Sequence, residues 1–387
     1  MKVVIAGSFG CKNIGDDAML VTLIEAFIRE YRETLELLVL SADPEDTRRR
    51  CGLSETIETI NVAGLLAAHK NDLARVNGAK HIIRRLSGSL RQKRVVQRLR
   101  DFDLFVVSGG GTINTRGKPY GTITRTHYFS SLARAAGLPL CLSGHTIGPL
   151  GLRPEDDQLA RQIIESASVI SVRDHGLSRR YVDMLGGYSG IWLEGIDDAY
   201  YLTSEKHPDA EASIAGVSLN RYTTRTPEQI ACLASAVASL LDRFAGVDLF
   251  GHIPEDLPKA FQVKDFCKHS LRERVRVVDT AGWSPQQLHS YVSSLKFVVA
   301  ARYHAAVFAS ALSVPYIGLT ATHYSLMKKI GFMQQIGDLD HLLTPSESAQ
   351  PILIDEHITR RMQSGPGVPP ERVVDPYVAL LKAVRSL

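Results

Sequence analysis

The sequence has no grouping of cysteines that would hold a metal ion or a disulfide framework. Its five cysteines, spread over 387 residues, form no C-x-x-C pair and no short cluster with histidine. This spacing is typical of a protein from a reducing compartment and argues against a zinc site. The carboxylates are scattered as well, so we expect the protein to need no metal ion and no cofactor.

Long apolar runs are also missing. No stretch reaches the roughly 18 to 20 apolar residues that cross a membrane. The apolar run after Met1 is too short for a secretory signal, because charged residues return at Lys12 and Asp16. We therefore expect a cytoplasmic protein. The sequence has no internal repeat and no long low-complexity tract.

The first glycine-rich loop lacks the spacing of a dinucleotide-binding motif. It follows the apolar strand predicted over Val3 to Ala6, and its glycines are Gly7, Gly10 and Gly15. These positions do not form G-x-G-x-x-G, so the loop gives no support for a dinucleotide site.

The composition suits a two-domain globular protein. Hydrophobic residues make up 44% of the chain and charged residues 22%, which is ordinary for a soluble protein. The formal charge of +4 is weak for this length and only mildly favours anionic partners. A chain of this length exceeds one ordinary core and suits two domains.

Short apolar runs alternate with helical patterns along most of the chain. This alternation predicts α/β domains, each with a doubly wound parallel sheet. We expect two Rossmann-like domains facing across a cleft. The predicted parts are an N-terminal domain over residues 1–202, a linker over 203–212, a C-terminal domain over 213–364, and a tail with a helix over 365–387.

Two loops of the first half carry candidate binding residues. A helix is predicted from Asp16 to Tyr31, and Asp16 or Asp17 is placed to cap it opposite the partial positive charge of its first turn. Contact with a ligand is the alternative for both carboxylates. Further on, a strand from Asp103 ends in Gly109 to Gly111, and three glycines allow a backbone to approach a ligand closely.

The segment from His69 to Arg100 is markedly basic, with ten lysines and arginines opposed only by Asp72. Its apolar residues recur at near-helical spacing. This pattern is typical of solvated helix faces, but it also resembles basic helices that rest on anionic membranes. Peripheral contact with the inner face of a membrane is therefore the open alternative. Nucleic acid is disfavoured because interleaved aromatic residues are missing.

The stretch from Phe297 to Leu319 predicts a buried strand, a sharp turn, a short helix and a second buried strand. Arg302 and His304 lie in this pattern where the strand over Phe297 to Ala301 ends and the helix begins. Open α/β sheets bind ligands at the carboxyl ends of their strands, and helix N-termini favour anions. We therefore predict an anion site at Arg302 and His304.

Six short motifs occur in an order and spacing that resemble the polysaccharide pyruvyl transferase family, over about residues 1 to 330. They are Asn13-Ile-Gly-Asp-Asp-Ala-Met-Leu20, Gly109-Gly-Gly-Thr-Ile113, Thr146-Ile-Gly-Pro149, Ser171-Val-Arg-Asp174, Asp198-Ala199 and Arg302-Tyr-His304. One departure is Asp197-Asp198-Ala199, where family members commonly have Asp-Pro-Ala.

The resemblance implies a glycosyltransferase-B-like pair of Rossmann-type domains and a reaction. Family members transfer the enolpyruvyl carbons of phosphoenolpyruvate to a sugar as a cyclic ketal and release phosphate. The acceptor is a glycan or a lipid-linked oligosaccharide, bound on the N-terminal side, while the C-terminal domain binds phosphoenolpyruvate.

The resemblance also assigns residues. It implies that Arg302 and His304 are catalytic and bind phosphoenolpyruvate together with Arg173 and Lys328, although Lys329 competes with Lys328 for this role. The acceptor side is expected at Asn13, Asp16, Asp17, Gly110 and Gly111.

This chemistry suits the residue types. Phosphoenolpyruvate carries a carboxylate and a phosphate, and arginine binds both groups bidentately. Ketal formation begins with protonation of a carbon, and histidine is the obvious general acid near neutral pH. Asp16, Asp17 and Asp174 are equal candidates for a base. Arg173 has a salt bridge as its alternative role.

Two other functions stay open at this stage. The first is a nucleotide-sugar glycosyltransferase of the same architecture, which would need a carboxylate to hold the ribose. The next acidic residue after His304 is Asp338, and this distance argues against that function. The second is a non-catalytic protein that binds glycan or phosphate, which would not require an imidazole beside Arg302.

Overall fold

A computed structural model describes residues 1–74, 79–205, 213–364 and 376–386, with the backbone alone for residues 33, 79–88 and 376. By its contacts the chain divides into two compact units. Unit 1 comprises Met1–Cys11, Met19–Asp198 and Val374–Leu387, and unit 2 comprises Lys12–Ala18 and Ala199–Val373.

These units differ from the predicted domains in three segments, of which the shortest is residues 199–202, predicted for the first domain and found in unit 2. Residues 12–18 belong to unit 2, where the Ile14 N–H donates to the His252 carbonyl at 3.2 Å. The C-terminal helix belongs to unit 1, where the Tyr377 hydroxyl donates to Thr22 Oγ1 at 3.0 Å. Residues 206–212 of the predicted linker and 365–375 of the predicted tail lie outside the described residues.

Unit 1 alternates strands and helices along most of its length. Its elements are β1 (Lys2–Ala6), α1 (Ile14–Tyr31, whose first turn counts with unit 2), β2 (Glu36–Ser41), α2 (Pro44–Cys51), β3 (Glu58–Asn61), α3 (Ala63–Leu73), α4 (Ala79–Leu99), β4 (Leu104–Ile113), α5 (Ile123–Ala136), β5 (Leu140–Ile147), α6 (Pro154–Ser166), β6 (Val169–Val172), α7 (Leu177–Met184) and β7 (Ile191–Glu194).

Unit 2 repeats the same alternation. Its elements are β8 (Ile214–Ser218), α8 (Pro227–Leu241), β9 (Gly246–Phe250), α9 (Leu257–Phe266), β10 (Val275–Val278), α10 (Pro285–Ser294), β11 (Phe297–Ala300), α11 (Tyr303–Ala311), β12 (Tyr316–Gly318), α12 (His323–Gln335) and α13 (Pro351–Ser364). The C-terminal helix of unit 1 is α14 (Pro376–Val384). Short 3₁₀ turns cover Arg32–Thr34, Asp198–Tyr201, Pro254–Asp256, His269–Arg274, Leu339–His341 and Glu347–Ala349.

Both units are built on a parallel sheet in which the first strand lies inside. The seven strands of unit 1 follow the order β3-β2-β1-β4-β5-β6-β7, and the five strands of unit 2 follow β10-β9-β8-β11-β12. In each sheet the order reverses beside the first strand, as in doubly wound dinucleotide folds. The predicted pair of Rossmann-like α/β domains is confirmed.

Buried apolar strands explain why these sheets form. Four of the five residues of β1 are buried, as are all four of β11. Strands of this kind need cover on both faces, which the helices of a doubly wound fold provide. Among the described residues, no helix combines the length and apolar character that crossing a membrane requires.

Several elements escaped the sequence analysis, namely α2, β3, α12 and α13. Helix α2 shows why, since its eight residues include only one apolar side chain and so have no periodic signal. Its start depends instead on Asp43, whose side chain accepts the Asp46 N–H at 3.2 Å.

The three glycines after Asp103 belong to a strand and not to a loop, because β4 continues to Ile113. A Cβ on Gly109 would lie 2.2 Å from the carbonyl oxygen of Gly144, in the neighbouring strand β5. The close approach that Gly109 permits is therefore between two strands. This corrects the expectation that these glycines line a loop.

We expect Gly109→Ala to destabilise unit 1 by about 2 kcal/mol or more, because the new methyl group would overlap backbone that cannot move aside. Gly64→Ala is the matched control, since its Cβ would meet nothing closer than 4.0 Å. Gly64 lies inside α3, where alanine favours the helix. Urea unfolding measures both variants, and equal stabilities would contradict the role given to Gly109.

One buried histidine in each unit predicts that the fold loses stability in acid. Burial lowers the pKa of His145 in β5 and of His289 in α10 to about 4. Below the ordinary value of about 6.5, the unfolded chain binds a proton that each folded histidine does not. Stability should therefore fall between pH 6.5 and 4, by about 1.4 kcal/mol per pH unit for each histidine.

Denaturant unfolding at several pH values measures this slope. In His145→Gln and His289→Asn, the new amide lies near the position of the ring nitrogen that contacts Val107 or Ser204. The amide cannot take up a proton and become charged. We expect a shallower slope in each variant. An unchanged slope in both would show that these histidines do not govern the acid response.

Candidate active site

The carboxyl ends of the strands in unit 2 gather polar side chains at one edge of the sheet. Ser218 ends β8, His252 and Asp256 follow β9, and Arg302 follows β11. In a parallel sheet these ends share one edge, which is the usual position of a ligand site in open α/β folds.

Arg302 is fixed there by a buried carboxylate. Its Nε donates to Asp256 Oδ2 at 2.8 Å and to the Leu219 carbonyl at 3.1 Å, and its Nη2 donates to Asp256 Oδ1. Asp256 is fully buried, whereas the Arg302 side chain keeps 21% of its surface exposed. A bidentate pair of this kind fixes the plane of the guanidinium. The result is an oriented cation that solvent can reach.

Asp256 was not predicted from the sequence. It also accepts the backbone N–H of His252 at 3.0 Å, so it joins the loop after β9 to the start of α11. An acidic residue in the loop after a buried strand was the only signal available, and the sequence has several of these. Its pairing with Arg302 is seen only in the folded structure.

His304 lies in the first turn of α11 and is 8% exposed. A Cβ on Gly15 would lie 1.8 Å from its Nδ1, so the imidazole occupies space that only glycine leaves open at that position. The predicted catalytic histidine and the predicted acceptor loop therefore meet inside unit 2. The family motifs at the two ends of the chain become neighbours.

Asn13 organises that loop. Its Oδ1 accepts the Gly15 N–H at 3.2 Å, and its Nδ2 donates to Asp16 Oδ2 at 2.8 Å. Helix α1 begins at Ile14, so Asn13 takes the capping position that we predicted for Asp16 or Asp17. Asp16 is half-buried, and Asp17 is buried.

A second histidine, which the sequence analysis missed, lies close to the first. His252 is buried, and its ring stacks on Phe308 with a centroid distance of 6.2 Å. The same Phe308 ring lies 6.4 Å from that of His304. Burial, followed by the charges of Arg302 and His304, holds the pKa of His252 well below its usual range. His252 is therefore a neutral imidazole at neutral pH.

The two lysines after Tyr324 have different environments. Lys329 is buried and donates to the carbonyls of Leu319 at 2.6 Å, Ala301 at 3.2 Å and Ala300, so it ties the ends of β11 and β12 together. Burial holds its pKa well below the ordinary value. Lys328 is half-buried, with Nζ 5.1 Å from the ring centre of Tyr303 and 4.7 Å from that of Tyr324. Of the two, Lys328 is the one placed beside the ring that contacts His304.

Tyr303, between Arg302 and His304, packs into the core of unit 2. Its ring lies edge-on to His304 at 5.1 Å and to Phe332 at 5.9 Å, and it is 7% exposed. It thus supports one side of the imidazole.

Arg173 lies in unit 1 and is almost completely buried. Its Nη1 donates to Asp197 Oδ2 at 2.5 Å, and its Nε donates to Thr146 Oγ1 at 2.9 Å. This arrangement favours the salt-bridge alternative, with Asp197 as the partner. Asp174 accepts from the N–H and the hydroxyl of Ser178, and burial raises its pKa. Both residues brace the family motifs of unit 1.

The remaining predicted residues lie in unit 1 as well. Gly110 and Gly111 are part of β4, and Gly110 pairs in register with His145 of β5. His145 is fully buried beside the Val107 carbonyl, which fits a structural role. Among the described residues there is no group of three or more side chains that could hold a metal ion.

Comparison with solved structures finds this fold in enzymes of sugar-nucleotide chemistry. The UDP-GlcNAc 2-epimerase of Methanocaldococcus jannaschii matches with a TM-score of 0.65 at 9% identity, covering 100% of both chains. The ADP-heptose lps heptosyltransferase II of E. coli matches at 0.51 and 13% identity, covering 94% of this chain and 99% of that chain. Spinosyn rhamnosyltransferase SpnG, complexed with thymidine diphosphate, matches at 0.54 and 12% identity, covering 100% and 96%.

At these identities the likeness establishes the fold alone, and it confirms the predicted glycosyltransferase-B-like class. No curated protein matches the chain. A sequence model of one family, described as polysaccharide pyruvyl transferase, matches residues 13–323. This match covers most of the chain and includes Asn13, Arg173, Arg302 and His304, whereas Lys328 lies beyond it. The chain therefore belongs to the polysaccharide pyruvyl transferase family.

Proposed function

We propose that this protein transfers pyruvate from phosphoenolpyruvate to two hydroxyls of a sugar, forming a cyclic ketal and releasing phosphate. The observation that carries the proposal is the Arg302–Asp256 pair, which holds an accessible cation two residues before a buried histidine. In a member of the pyruvyl transferase family, this pairing of cation and imidazole suits an anionic substrate that must be protonated.

The cations of unit 2 suit the two anionic groups of phosphoenolpyruvate. Arg302 offers a planar fork for a carboxylate or a phosphate. The N-terminus of α11 adds the partial positive charge of a helix beside it. Lys328, held over two aromatic rings, is the second side-chain cation for this substrate. Arg173 serves unit 1 as a brace and is a weaker candidate for direct contact.

The reaction needs one proton donor and no electron transfer. His304 gives a proton to the methylene carbon, and the neighbouring carbon becomes an oxocarbenium-like centre. One sugar hydroxyl attacks that centre and loses its proton, and the bond to phosphate then breaks. Loss of phosphate leaves a second oxocarbenium-like centre, and the second hydroxyl attacks it and closes the ring. Of the two hydroxyl protons released, one replaces the proton that His304 gave and the other leaves with phosphate. The products are the ketal and inorganic phosphate.

The position of His304 suits a proton donor. Tyr303 supports one side of its ring, and Gly15 leaves the space that Nδ1 occupies. An imidazole held in one orientation can deliver its proton to one carbon atom. The base that accepts the hydroxyl proton is open among Asp16, Asp17 and Asp174, although Asp174 is engaged with Ser178.

The alternative is a nucleotide-sugar glycosyltransferase, because solved structures of this fold include complexes with UDP and thymidine diphosphate. Such an enzyme would need a carboxylate for the ribose beyond His304. The first acidic residue there, Asp338, forms a bidentate pair with Arg361 at 3.0 and 3.1 Å. This pairing counts against the alternative. A protein that only binds glycan or phosphate would not require the ordered imidazole.

One assay separates these functions. The protein is incubated with phosphoenolpyruvate and a panel of β-galactoside and N-acetylmannosamine acceptors, and both phosphate release and acceptor mass are followed. Pyruvyl transfer adds the mass of pyruvate less one water to the acceptor for each phosphate released. Turnover of a nucleotide sugar without phosphate release from phosphoenolpyruvate would favour the glycosyltransferase instead.

We expect His304→Ala to lower turnover by about a hundredfold or more, since a positioned general acid contributes that much. Binding of phosphoenolpyruvate should remain, because Arg302 is intact. Arg302→Lys should instead raise KM for phosphoenolpyruvate about tenfold, since lysine cannot form the fork held by Asp256.

Matched controls come from the same unit. His269 is exposed, so His269→Ala should leave turnover unchanged. Arg276 also forms a bidentate pair, with Asp248 at 2.9 and 2.6 Å, but it lies on the edge strand β10. Arg276→Lys should leave KM unchanged. If His304→Ala kept full turnover, His304 would not be the acid.

We also propose that the basic segment 69–100 contacts an anionic membrane, where a lipid-linked acceptor would lie. Arg91 and Arg94 of α4 are exposed, together with Leu90 at 65% exposure. Arg98 is engaged elsewhere, since it bonds Glu58 at 2.8 Å and Glu36 at 3.1 Å. Residues 75–78 of this segment lie outside the described residues.

Sedimentation with vesicles tests this contact. We expect binding to phosphatidylserine-containing vesicles that weakens with salt. The double variant Arg91→Glu, Arg94→Glu should bind less, while neutral vesicles serve as the control. Binding that is absent, or insensitive to salt, would leave these residues as a solvated helix face.

A further inference from the structure

A cavity of unit 2 lies apart from the residues of the proposed transfer site. It has a volume of about 800 Å³, and its lining includes none of Arg302, His304 and Lys328. Its wall is formed mainly by the N-terminal half of α10 and the turn before it. The lining includes Trp283, Gln286, Gln287, Ser290, Tyr291 and Glu205.

Trp283 is a firmly held, half-exposed aromatic surface in this wall. Its backbone N–H donates to the Thr280 carbonyl at 3.1 Å, and its ring lies edge-on to Tyr291 at 5.3 Å. Tyr291 is buried, and its hydroxyl donates to Asp248 at 2.5 Å. Because the supporting ring is anchored from behind, the indole can present a flat surface to a ligand with little loss of side-chain freedom.

Neutral polar groups surround this indole. Gln286 and Ser290 project from neighbouring turns of α10, four residues apart on one face. The Gln287 Oε1 accepts the Ser284 N–H at 2.8 Å, which fixes the direction of its amide. Ser204, on the opposite side, lies 2.7 Å from His289 Nδ1. Gln287 and Ser204 are thus held in place by the structure around them.

The charge of the lining selects among ligands. Among the described residues that line the cavity there is no lysine or arginine, and Glu205 places a carboxylate at its margin. Phosphates, carboxylates and nucleotides need cations or available helix N–H groups, and the Gln287 N–H in the first turn of α10 already donates to Ser284 Oγ at 3.1 Å. A sugar ring, in contrast, has an apolar face for an aromatic surface and hydroxyls for amide and carboxylate groups.

We propose that this cavity is a binding site for a neutral saccharide, with the sugar ring against Trp283 and its hydroxyls bonded by Gln286, Gln287 and Glu205. The site goes beyond the proposed transfer reaction, because it requires neither phosphoenolpyruvate nor His304. Its role is to hold a glycan segment through a second, uncharged contact.

The chain offers a direct reporter, because it has only two tryptophans. Trp192 lies in β7 of unit 1, so Trp192→Phe leaves Trp283 as the single emitter. The variant is titrated with lactose, N-acetyllactosamine, chitobiose and maltotriose. We expect a saturable change in emission with at least one of them, at a Kd on the order of 1 mM. Phosphoenolpyruvate, inorganic phosphate and UDP should cause none.

Variants of the lining test the assignment. In the same background, Gln286→Ala and Glu205→Ala should each weaken binding of the saccharide at least tenfold. Gln262→Ala is the matched control, because Gln262 is exposed on α9 and pairs with Lys259. Measured by calorimetry, the Trp283→Ala variant should show no heat of saccharide binding. Unfolding midpoints confirm that each variant is folded.

Two outcomes would overturn the proposal. One is the absence of any saturable response to the four saccharides up to about 10 mM, and the other is a response to UDP or phosphate that saccharides do not match. Binding that persists in His304→Ala supports a separate site. If pyruvyl transfer fails while Trp283 still responds to saccharide, only the proposed function falls, and the reverse result would remove only this site.

Discussion

The bond between Arg302 and Asp256 is the constraint on which the candidate site depends. Asp256 is fully buried, and a buried carboxylate needs partners, which Arg302 and the N–H groups of His252 and Ile253 supply. The same pair draws together the loops after β8, β9 and β11. Without it, the guanidinium would have no fixed orientation.

Two titratable side chains near this pair, Lys329 and His252, do not offer a positive charge to a ligand. Lys329 is occupied by three carbonyls at the ends of β11 and β12, and His252 is a neutral imidazole between aromatic rings. Arg302 and Lys328, in contrast, are partly exposed. The site thus combines a rigid, largely neutral lining with two cations, which suits a small dianion better than a long polyanion.

The sequence allowed much of the fold to be predicted, because buried strands such as β11 carry unbroken apolar runs and the helices carry periodic ones. It also located Arg302 and His304, since a strand end followed by a helix start is visible locally. Asp256 and Gly15 were different. Their importance comes from contacts with residues far away in the chain, and no local pattern reports such a contact. Arg173 shows the converse, because its motif was visible but its burial against Asp197 was not.

The contact between Gly15 and His304 determines how early during synthesis the site can form. The imidazole of His304 occupies the place that a side chain at position 15 would take. Residues 12–18 are synthesised well before His252 and His304, the residues that they contact in unit 2. The surroundings of His304 therefore cannot be finished until most of the chain has left the ribosome, so a nascent or truncated chain would carry an incomplete site.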